Sequence, residues 1–313
     1  GNKYTKEELI SMLDNGEIDT TNPKYIEMYN YVKYGYITEI DDKHKIPTIA
    51  IYGGIDNVLG VSTYAYLKEK ATKDGRHLDF IYSKYEGHLL IIPKTDDGKH
   101  AMWNASTLIM KYFKKYFPES EESEHEPIFD PYTFFGVKYL NLSYSEDNKI
   151  VNSFKYGEEN YIDEIGNLND GNDYTANERN YYDLYIPQYA LDRKNEINGI
   201  MLWIHGGAWT GGNMRQLDML CKLFSQQGYI SATIGYTLLL DYFKVFNIYR
   251  IMDEITAAIK AIKQELINKG FNGDKLILGI GGYSAGGHLA LLYSYLVKNI
   301  NIIPIKFVVD IVG

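Results

Sequence analysis

From residue 200 onward, short apolar runs alternate with longer segments of helical spacing. The apolar runs are continuous, as is typical of strands that are buried on both faces. Strict alternation of strand and helix favours a parallel sheet with helices on both faces. The predicted strands are residues 200–204, 229–234, 276–280 and 307–312, and the predicted helices are residues 214–227, 248–269 and 284–296.

A second set of elements lies near the start of the chain. Residues 47–52 form an apolar run that ends in Gly53-Gly54, which predicts another buried parallel strand. A further strand is predicted at 77–83. Helical spacing at 5–34 (with a break at Asn15-Gly16), 61–72 and 101–117 predicts helices there.

The middle of the chain has a different pattern. The acidic, low-complexity segment 119–126 predicts a solvated linker. Residues 136–145 and 181–186 alternate apolar and polar positions, which is typical of strands with one exposed face. Residues 167–180, rich in Asn, Asp and Gly, predict a loop.

Composition narrows the possible functions. The chain has 313 residues, 45% of them hydrophobic, which is enough for a large core. Its single cysteine excludes an internal disulfide framework and any Cys-rich metal site. The net charge of −9 argues against nucleic acid or an anionic membrane as the main partner. No apolar run reaches about 18 residues, so no transmembrane helix is predicted, and no signal peptide is expected from the first residues.

The sharpest motif is Gly282-Tyr283-Ser284-Ala285-Gly286, which follows a predicted strand and opens a predicted helix. This is the setting of a G-x-S-x-G nucleophile turn. The flanking glycines permit a tight strand-to-helix turn, and the serine stands at a helix N-terminus that favours developing negative charge. Ser284 is therefore the candidate nucleophile.

A second motif, His205-Gly206-Gly207-Ala208-Trp209, directly follows the predicted strand 200–204. Glycines at such a position leave backbone N–H groups free to form an oxyanion hole. The alternative interpretation is an ordinary turn between strand and helix. We expect Gly206, Gly207 and Ala285 to supply the donors, and His205 to shape the loop rather than act as the base.

These two motifs resemble those of the α/β-hydrolase esterases. The most similar groups are the hormone-sensitive-lipase-like carboxylesterases and the bacterial feruloyl-esterase and kynurenine-formamidase-like enzymes. Gly235-Tyr236-Thr237-Leu238 also resembles a segment of this family, with Thr where Arg is common. The resemblance implies an α/β-hydrolase fold with a mostly parallel eight-stranded sheet, a Ser-Asp-His triad and no cofactor.

The triad partners are not found where the family has them. In the family both follow the serine, but only 29 residues follow Ser284. Among them, Asp310 lies inside a predicted strand, and His288 lies one helical turn beyond the serine and is expected to pack.

The front of the chain supplies better matches. Residues 47–58 resemble the family's seventh strand with the triad acid, Asp56, in the loop after it. Residues 78–89 resemble the eighth strand followed by the triad histidine, His88. Asp79 is the runner-up acid, although it lies inside a predicted strand.

This order implies a circular permutation between strands six and seven of the family. We expect one domain over 1–313, in which 1–45 is a cap remnant, 46–117 the family's C-terminal part, 118–130 the acidic linker, and 131–313 the family's N-terminal part. The permutation could be natural, engineered, or an effect of joining two pieces of a parent chain. In each case the strand at 47–52 should lie beside that at 307–312, and Gly1 and Gly313 should lie on one side, near the cap.

The sequence therefore predicts a serine esterase acting on a small carboxylic ester, which the resemblance permits to be an acetyl or aryl ester of a carbohydrate. An amidase or formamidase with the same triad, and a non-catalytic binding module on the scaffold, stay open as alternatives. Trp209, Tyr283 and Leu89 are candidates for the pocket wall. No metal-ligand spacing appears, and surface positions are expected for His44, His77, His100 and His125.

Overall fold

The computed structural model describes residues 46–53, 78–83, 88, 109, 114–117, 134–151, 174–196, 199–241, 248–296 and 302–313. The predicted helices at 5–34 and 61–72, the acidic linker, and the expected position of Gly1 lie outside these residues. Of the helix predicted at 101–117, residues 109 and 114–116 are helical in the described part.

The core of the fold is an eight-stranded sheet. Its strands lie in the order β2-β1-β10-β9-β7-β8-β6-β3, and each neighbouring pair is parallel except those that involve β6, which runs antiparallel to β8 and β3. The strands are β1 (Thr48–Gly53), β2 (Leu78–Ser83), β3 (Gly136–Ser143), β6 (Tyr181–Pro187), β7 (Gly199–Ile204), β8 (Ile230–Ile234), β9 (Ile277–Tyr283) and β10 (Ile305–Ile311).

The remaining described elements connect or cover this sheet. A separate two-stranded ladder pairs β4 (Lys149–Ile150) with β5 (Tyr174–Thr175). The helices are α1 (Gln188–Asp192), α2 (Asp218–Gln226), which continues a short 3-10 turn at Met214–Leu217, α3 (Ile248–Asn268) and α4 (Ala285–Leu296). The helix predicted at 214–227 is thus observed as two consecutive pieces.

The sheet has an apolar layer on each face. Side chains alternate between the two faces of a strand, so Ile200, Leu202 and Ile204 of β7 pack with α3 and α4 on one face. Met201 and Trp203 of the same strand pack with α2 on the other face. The predicted arrangement, a mostly parallel sheet with helices on both faces, is confirmed.

One sequence-based expectation about the sheet is wrong. Residues 181–186 were expected to have one exposed face, but β6 is buried at every position after Tyr181. Tyr185 packs against the α2 side, whereas Leu184 and Ile186 pack against the α3 side. The charged residue of this strand, Asp183, is fully buried and accepts a 2.7 Å hydrogen bond from the amide of Asn141, and the rings of Tyr182 and Tyr185 are also buried.

β1 and β10 are neighbours in the sheet. They pair in parallel, with Thr48 beside Val308 and Ile51 beside Ile311. This is the adjacency expected from the permuted order. It brings the elements near the start of the chain into one sheet with those of its last third.

Within the described residues, no helix is both long and apolar enough to cross a bilayer.

The apolar layers should dominate stability. Leu202 is fully buried in β7, so Leu202→Ala should lower the free energy of unfolding by about 2–5 kcal/mol, through lost burial and an unfilled cavity. Leu240 is 74% exposed, and Leu240→Ala should change it by less than about 0.5 kcal/mol. Chemical denaturation of the two variants measures the difference, and equal effects would contradict this account of the core.

Candidate active site

The candidate site lies at the carboxyl ends of the parallel strands. Ser284 directly follows β9, Gly206 lies two residues beyond β7, and His88 lies five residues beyond β2. Ligands of open parallel sheets bind at this edge, because the loops after neighbouring strands meet there. Three parts of the chain that are distant in sequence therefore contribute to one site.

Ser284 sits at a sharp turn between β9 and α4. Its φ is +52°, a left-handed conformation that is uncommon for a residue with a side chain. Its backbone N–H donates to the carbonyl of Ile311, at 2.8 Å, which ties the turn to the end of β10. A strained residue held by its surroundings is typical of functional sites.

Glycines make this turn possible. A Cβ on Gly286 would overlap the carbonyl of Ile204 and lie 2.6 Å from the carbonyl oxygen of His205. A Cβ on Gly206 would lie 2.6 Å from the carbonyl oxygen of Tyr283. The backbone after β7 and the turn after β9 are therefore in direct contact, and only glycine fits between them.

His88 contacts the serine. Its Nε2 lies 2.8 Å from the Oγ of Ser284, within hydrogen-bonding distance. The phenol of Tyr283 donates to the backbone carbonyl of His88 at 2.7 Å. When Nε2 carries no proton, the serine hydroxyl donates to it, and the imidazole can then accept that proton as the oxygen attacks an electrophile.

The loop after β7 has an unusual backbone. Gly207, Ala208 and Trp209 have φ of +120°, +50° and +55°. The amides of Thr210 and Gly211 both donate to the carbonyl of Gly207, at 3.0 Å. Consecutive left-handed residues in a closed turn fix the direction of the peptide groups beside Ser284.

His205 lies beneath this loop. It is 1% exposed, its Nδ1 donates to the carbonyl of Gly206 at 2.7 Å, and its ring stacks on Tyr236 with centroids 4.3 Å apart. Burial lowers the pKa of His205 to about 4. The ring is therefore neutral near pH 7, and its contacts are those of a group that shapes the loop.

The other histidine near the serine packs against an aromatic ring. His288 lies on α4, largely buried, and meets Trp209 edge-on with centroids 5.2 Å apart. Trp209 and Tyr283, two of the three pocket-wall candidates, are partly buried at this edge of the sheet. The third, Leu89, lies outside the described residues.

The acidic candidates occupy different places. Asp56, three residues beyond β1, lies outside the described residues. Asp79 pairs with Ile49 near the amino end of β2, and four residues of strand, roughly 13 Å at about 3.3 Å each, separate it from the carboxyl end. Asp310 is fully buried, and burial raises its pKa to about 6.

A buried polar network supports the loop after β7, and sequence reasoning missed it. Glu254 accepts a 2.8 Å hydrogen bond from the amide of Thr237 and pairs with Arg250 at 3.1 Å. It holds the segment whose Leu239 N–H donates to the carbonyl of Trp209 at 2.9 Å. Arg250 and Glu254 stand at i and i+4 in α3, a spacing visible in the sequence, but only the structure shows that both are buried.

No group of His, Cys, Asp and Glu that could hold a metal ion occurs among the described residues.

Residues 182–307, about two fifths of the chain, match the BD-FAE family model, an α/β-hydrolase-like esterase family. This segment contains the loop after β7, the serine turn and about half of the sheet, from β6 to the start of β10. The chain has the α/β-hydrolase fold. No curated protein sequence matches the chain.

Solved structures of several hydrolases are also similar to this chain. Esterase B from Lactobacillus rhamnosis is 20% identical and has a TM-score of 0.37, with 67% of this chain and 55% of that chain covered. A putative thioesterase from Silicibacter sp. is 20% identical, with a TM-score of 0.35 and coverage of 64% and 56%. The esterase Est2 from Thermogutta terrifontis is 23% identical, with a TM-score of 0.29 and coverage of 35% and 38%. The chain thus spans little more than half of the first of these structures.

The turn at Ser284 should not tolerate a side chain at Gly286. Gly286→Ala places a methyl group against the carbonyl of Ile204, and we expect a loss of about 3 kcal/mol or more in unfolding free energy, because backbone cannot move aside cheaply. Gly211→Ala is the matched control, since nothing lies within 4 Å of its Cβ position. Thermal unfolding of both variants checks this, and a Gly286→Ala protein as stable as Gly211→Ala would contradict the described turn.

Proposed function

We propose that the protein is a serine esterase that hydrolyses small carboxylic esters through an acyl-enzyme on Ser284. The observation that carries the proposal is the 2.8 Å contact between His88 Nε2 and Ser284 Oγ, made at a left-handed turn that opens a helix. Acyl transfer requires a nucleophile that is hydrogen-bonded to a base, and a strained strand-to-helix turn is where such a nucleophile is held.

The first half-reaction forms the acyl-enzyme. The Oγ of Ser284 bonds to the ester carbonyl carbon while His88 takes the hydroxyl proton, and the carbonyl oxygen becomes an oxyanion. The C–O bond to the alcohol then breaks, and His88 gives its proton to the departing oxygen. In the second half, water attacks the acyl group with His88 as base, and Ser284 regains its proton when the acid leaves.

Backbone N–H groups would stabilise the oxyanion. We assign the donors to Gly206, Gly207 and Ala285, because the loop after β7 contacts the serine turn and Ala285 begins α4. Such preorganised donors are worth about 3–4 kcal/mol each in transition-state free energy. The Thr237–Glu254 contact supports this loop from below.

Asp56 is proposed as the carboxylate that orients His88. It follows β1, the strand beside β2, and β2 leads to His88. The chain order Asp56, His88, Ser284 differs from the family order, and we propose that a circular permutation between strands six and seven accounts for it. A triad depends on geometry, and known triads occur in several chain orders.

We assign the alcohol and acyl groups of the substrate by chemical class only. Trp209, Tyr283 and Leu89 are proposed to line the pocket, and acetyl or aryl esters of carbohydrates are the first substrates to compare. Parallel assays with formamides distinguish esterase from amidase activity, because the same triad serves both.

Replacing the nucleophile tests the mechanism. Ser284→Ala should lower kcat for p-nitrophenyl acetate by at least about 10³-fold and abolish covalent labelling by a fluorophosphonate, since the attacking oxygen is lost. The control is Ser294→Ala on α4, where the hydroxyl donates to the carbonyl of Ala290 one turn earlier. Labelling of Ser284→Ala at the wild-type rate, or a wild-type protein that neither reacts nor hydrolyses any of these substrates, would refute the proposal.

Replacing each aspartate with the isosteric asparagine distinguishes Asp56 from Asp79 as the carboxylate that orients His88. Asp56→Asn should lower kcat by roughly 10³–10⁴-fold, because the amide favours the wrong tautomer of His88. Asp79→Asn should leave kcat within about twofold, since Asp79 lies near the amino end of β2. Steady-state kinetics on the two variants decides, and the reverse pattern would transfer the role to Asp79.

A further inference from the structure

The triad proposed above does not use the buried carboxylate of Asp310. Oδ2 of Asp310 accepts a 2.8 Å hydrogen bond from the phenol of Tyr52, and Oδ1 accepts one from the backbone N–H of Gly313 at 2.7 Å. The same phenol lies 3.0 Å from the carbonyl oxygen of Gly313. We name this set of Tyr52, Asp310 and Gly313 the clasp. It joins the end of β1 to the end of β10.

The clasp lies against the first turn of α4, immediately after the serine. A Cβ on Gly287 would overlap Oδ1 of Asp310, and a Cβ on Gly313 would overlap the amide nitrogen of His288. Two glycines therefore allow the carboxylate and the chain beyond β10 to approach the helix backbone. A carboxylate at this place also favours the helix N-terminus, whose amides carry partial positive charge.

Backbone hydrogen bonds continue the clasp to the nucleophile. The amide of Val312 donates to the carbonyl of Ile51 at 2.9 Å, and the amide of Ser284 donates to the carbonyl of Ile311 at 2.8 Å. Val312 has a φ of +50°, a costly conformation for a β-branched residue. The clasp bonds the residues on either side of Val312, and this can hold the chain in that conformation.

Losing the carboxylate would leave the backbone N–H of Gly313 without its acceptor and would leave the phenol of Tyr52 the Gly313 carbonyl in place of the stronger carboxylate bond. Asp310 is fully buried and Tyr52 is 2% exposed, so water cannot readily replace either bond. An unsatisfied buried group costs about 1–3 kcal/mol. The segment 310–313 would then relax, and the Ile311 carbonyl that holds the Ser284 amide would move with it.

We infer that the clasp positions the Ser284 turn relative to strand β1, and that Asp310 is a positioning residue of this hydrolase. The inference rests on the proposed function for its effect on the reaction. It extends that function, because it assigns a role to a carboxylate outside the triad and to Tyr52, which lies four residues before the proposed acid.

The experiment combines kinetics with amide hydrogen exchange on four variants. Asp310→Ala and Tyr52→Phe should lower kcat for p-nitrophenyl acetate by about tenfold or more with KM within twofold, because misplaced reacting groups slow the chemical step. Exchange of peptides covering 282–288 should speed up about tenfold in Asp310→Ala. Asp310→Asn should recover kcat to within threefold of wild type, since its oxygen accepts from Gly313 and its amide donates to the Tyr52 oxygen.

Thr48→Val is the matched control. Thr48 lies on the same strand as Tyr52, at its amino end, and its hydroxyl bonds Tyr295 and the carbonyl of Ile46. This variant loses buried hydrogen bonds away from the serine turn, so kcat and exchange of 282–288 should match wild type even if the protein is less stable.

The outcomes separate the two proposals. Two results would overturn the clasp: unchanged exchange at 282–288 in Asp310→Ala, or exchange accelerated equally in Thr48→Val. Neither result affects the esterase proposal if the wild-type protein is active. Faster exchange with unchanged kcat overturns the positioning role. If Asp310→Asn loses as much activity as Asp310→Ala with normal exchange, Asp310 acts in the triad and the inference is wrong. If the wild-type protein is inactive and unlabelled while exchange at 282–288 is faster in Asp310→Ala, the clasp is supported and the esterase is refuted.

Discussion

The site depends on a close contact between two backbone segments, the loop after β7 and the turn after β9. Gly206 and Gly286 allow them to approach until a single added methyl group would collide with a carbonyl. This contact brings the left-handed Ser284 beside the loop of left-handed residues at 207–209. The parallel pairing of β7 with β9 sets the spacing, and the two apolar layers hold the strands in place. Ser284 and the backbone N–H groups proposed as donors can then meet without any side chain bridging them.

Much of the fold could be predicted from the sequence, because its strands and helices are strongly patterned. Continuous apolar runs identified β7, β8, β9 and β10, and glycine motifs located the turns. The exposure of β6 was misjudged, since Asp183 counts as an exposed position in a pattern, whereas in the structure it is buried and bonded to the amide of Asn141. The network around Glu254 was missed for a related reason. An Arg and a Glu four residues apart usually mark a solvated helix face, and only tertiary contacts show that both are buried.

The site itself was only partly predictable. Ser284 and Gly206 each belong to a short sequence motif, and the residues of each motif lie together in the structure. His88 has no such local signature, and its assignment came from the resemblance of its strand and loop. The role of Asp310 could not be read from the chain at all. An aspartate in an apolar strand looks unfavourable until Tyr52, 258 positions away, is found to donate to it.

The pairing of β1 with β10 has a consequence for how the molecule folds. His88 and Ser284 are separated by 196 positions in the chain, and closing so large a loop is entropically costly before its contacts form. Long-range strand pairing is slow for the same reason. The strands from β6 to β10 pair with elements close to them in the chain, whereas the pairing of β1 with β10 joins distant parts of it. A chain in which β1 and β2 had not yet docked would therefore carry the serine turn without His88 beside it.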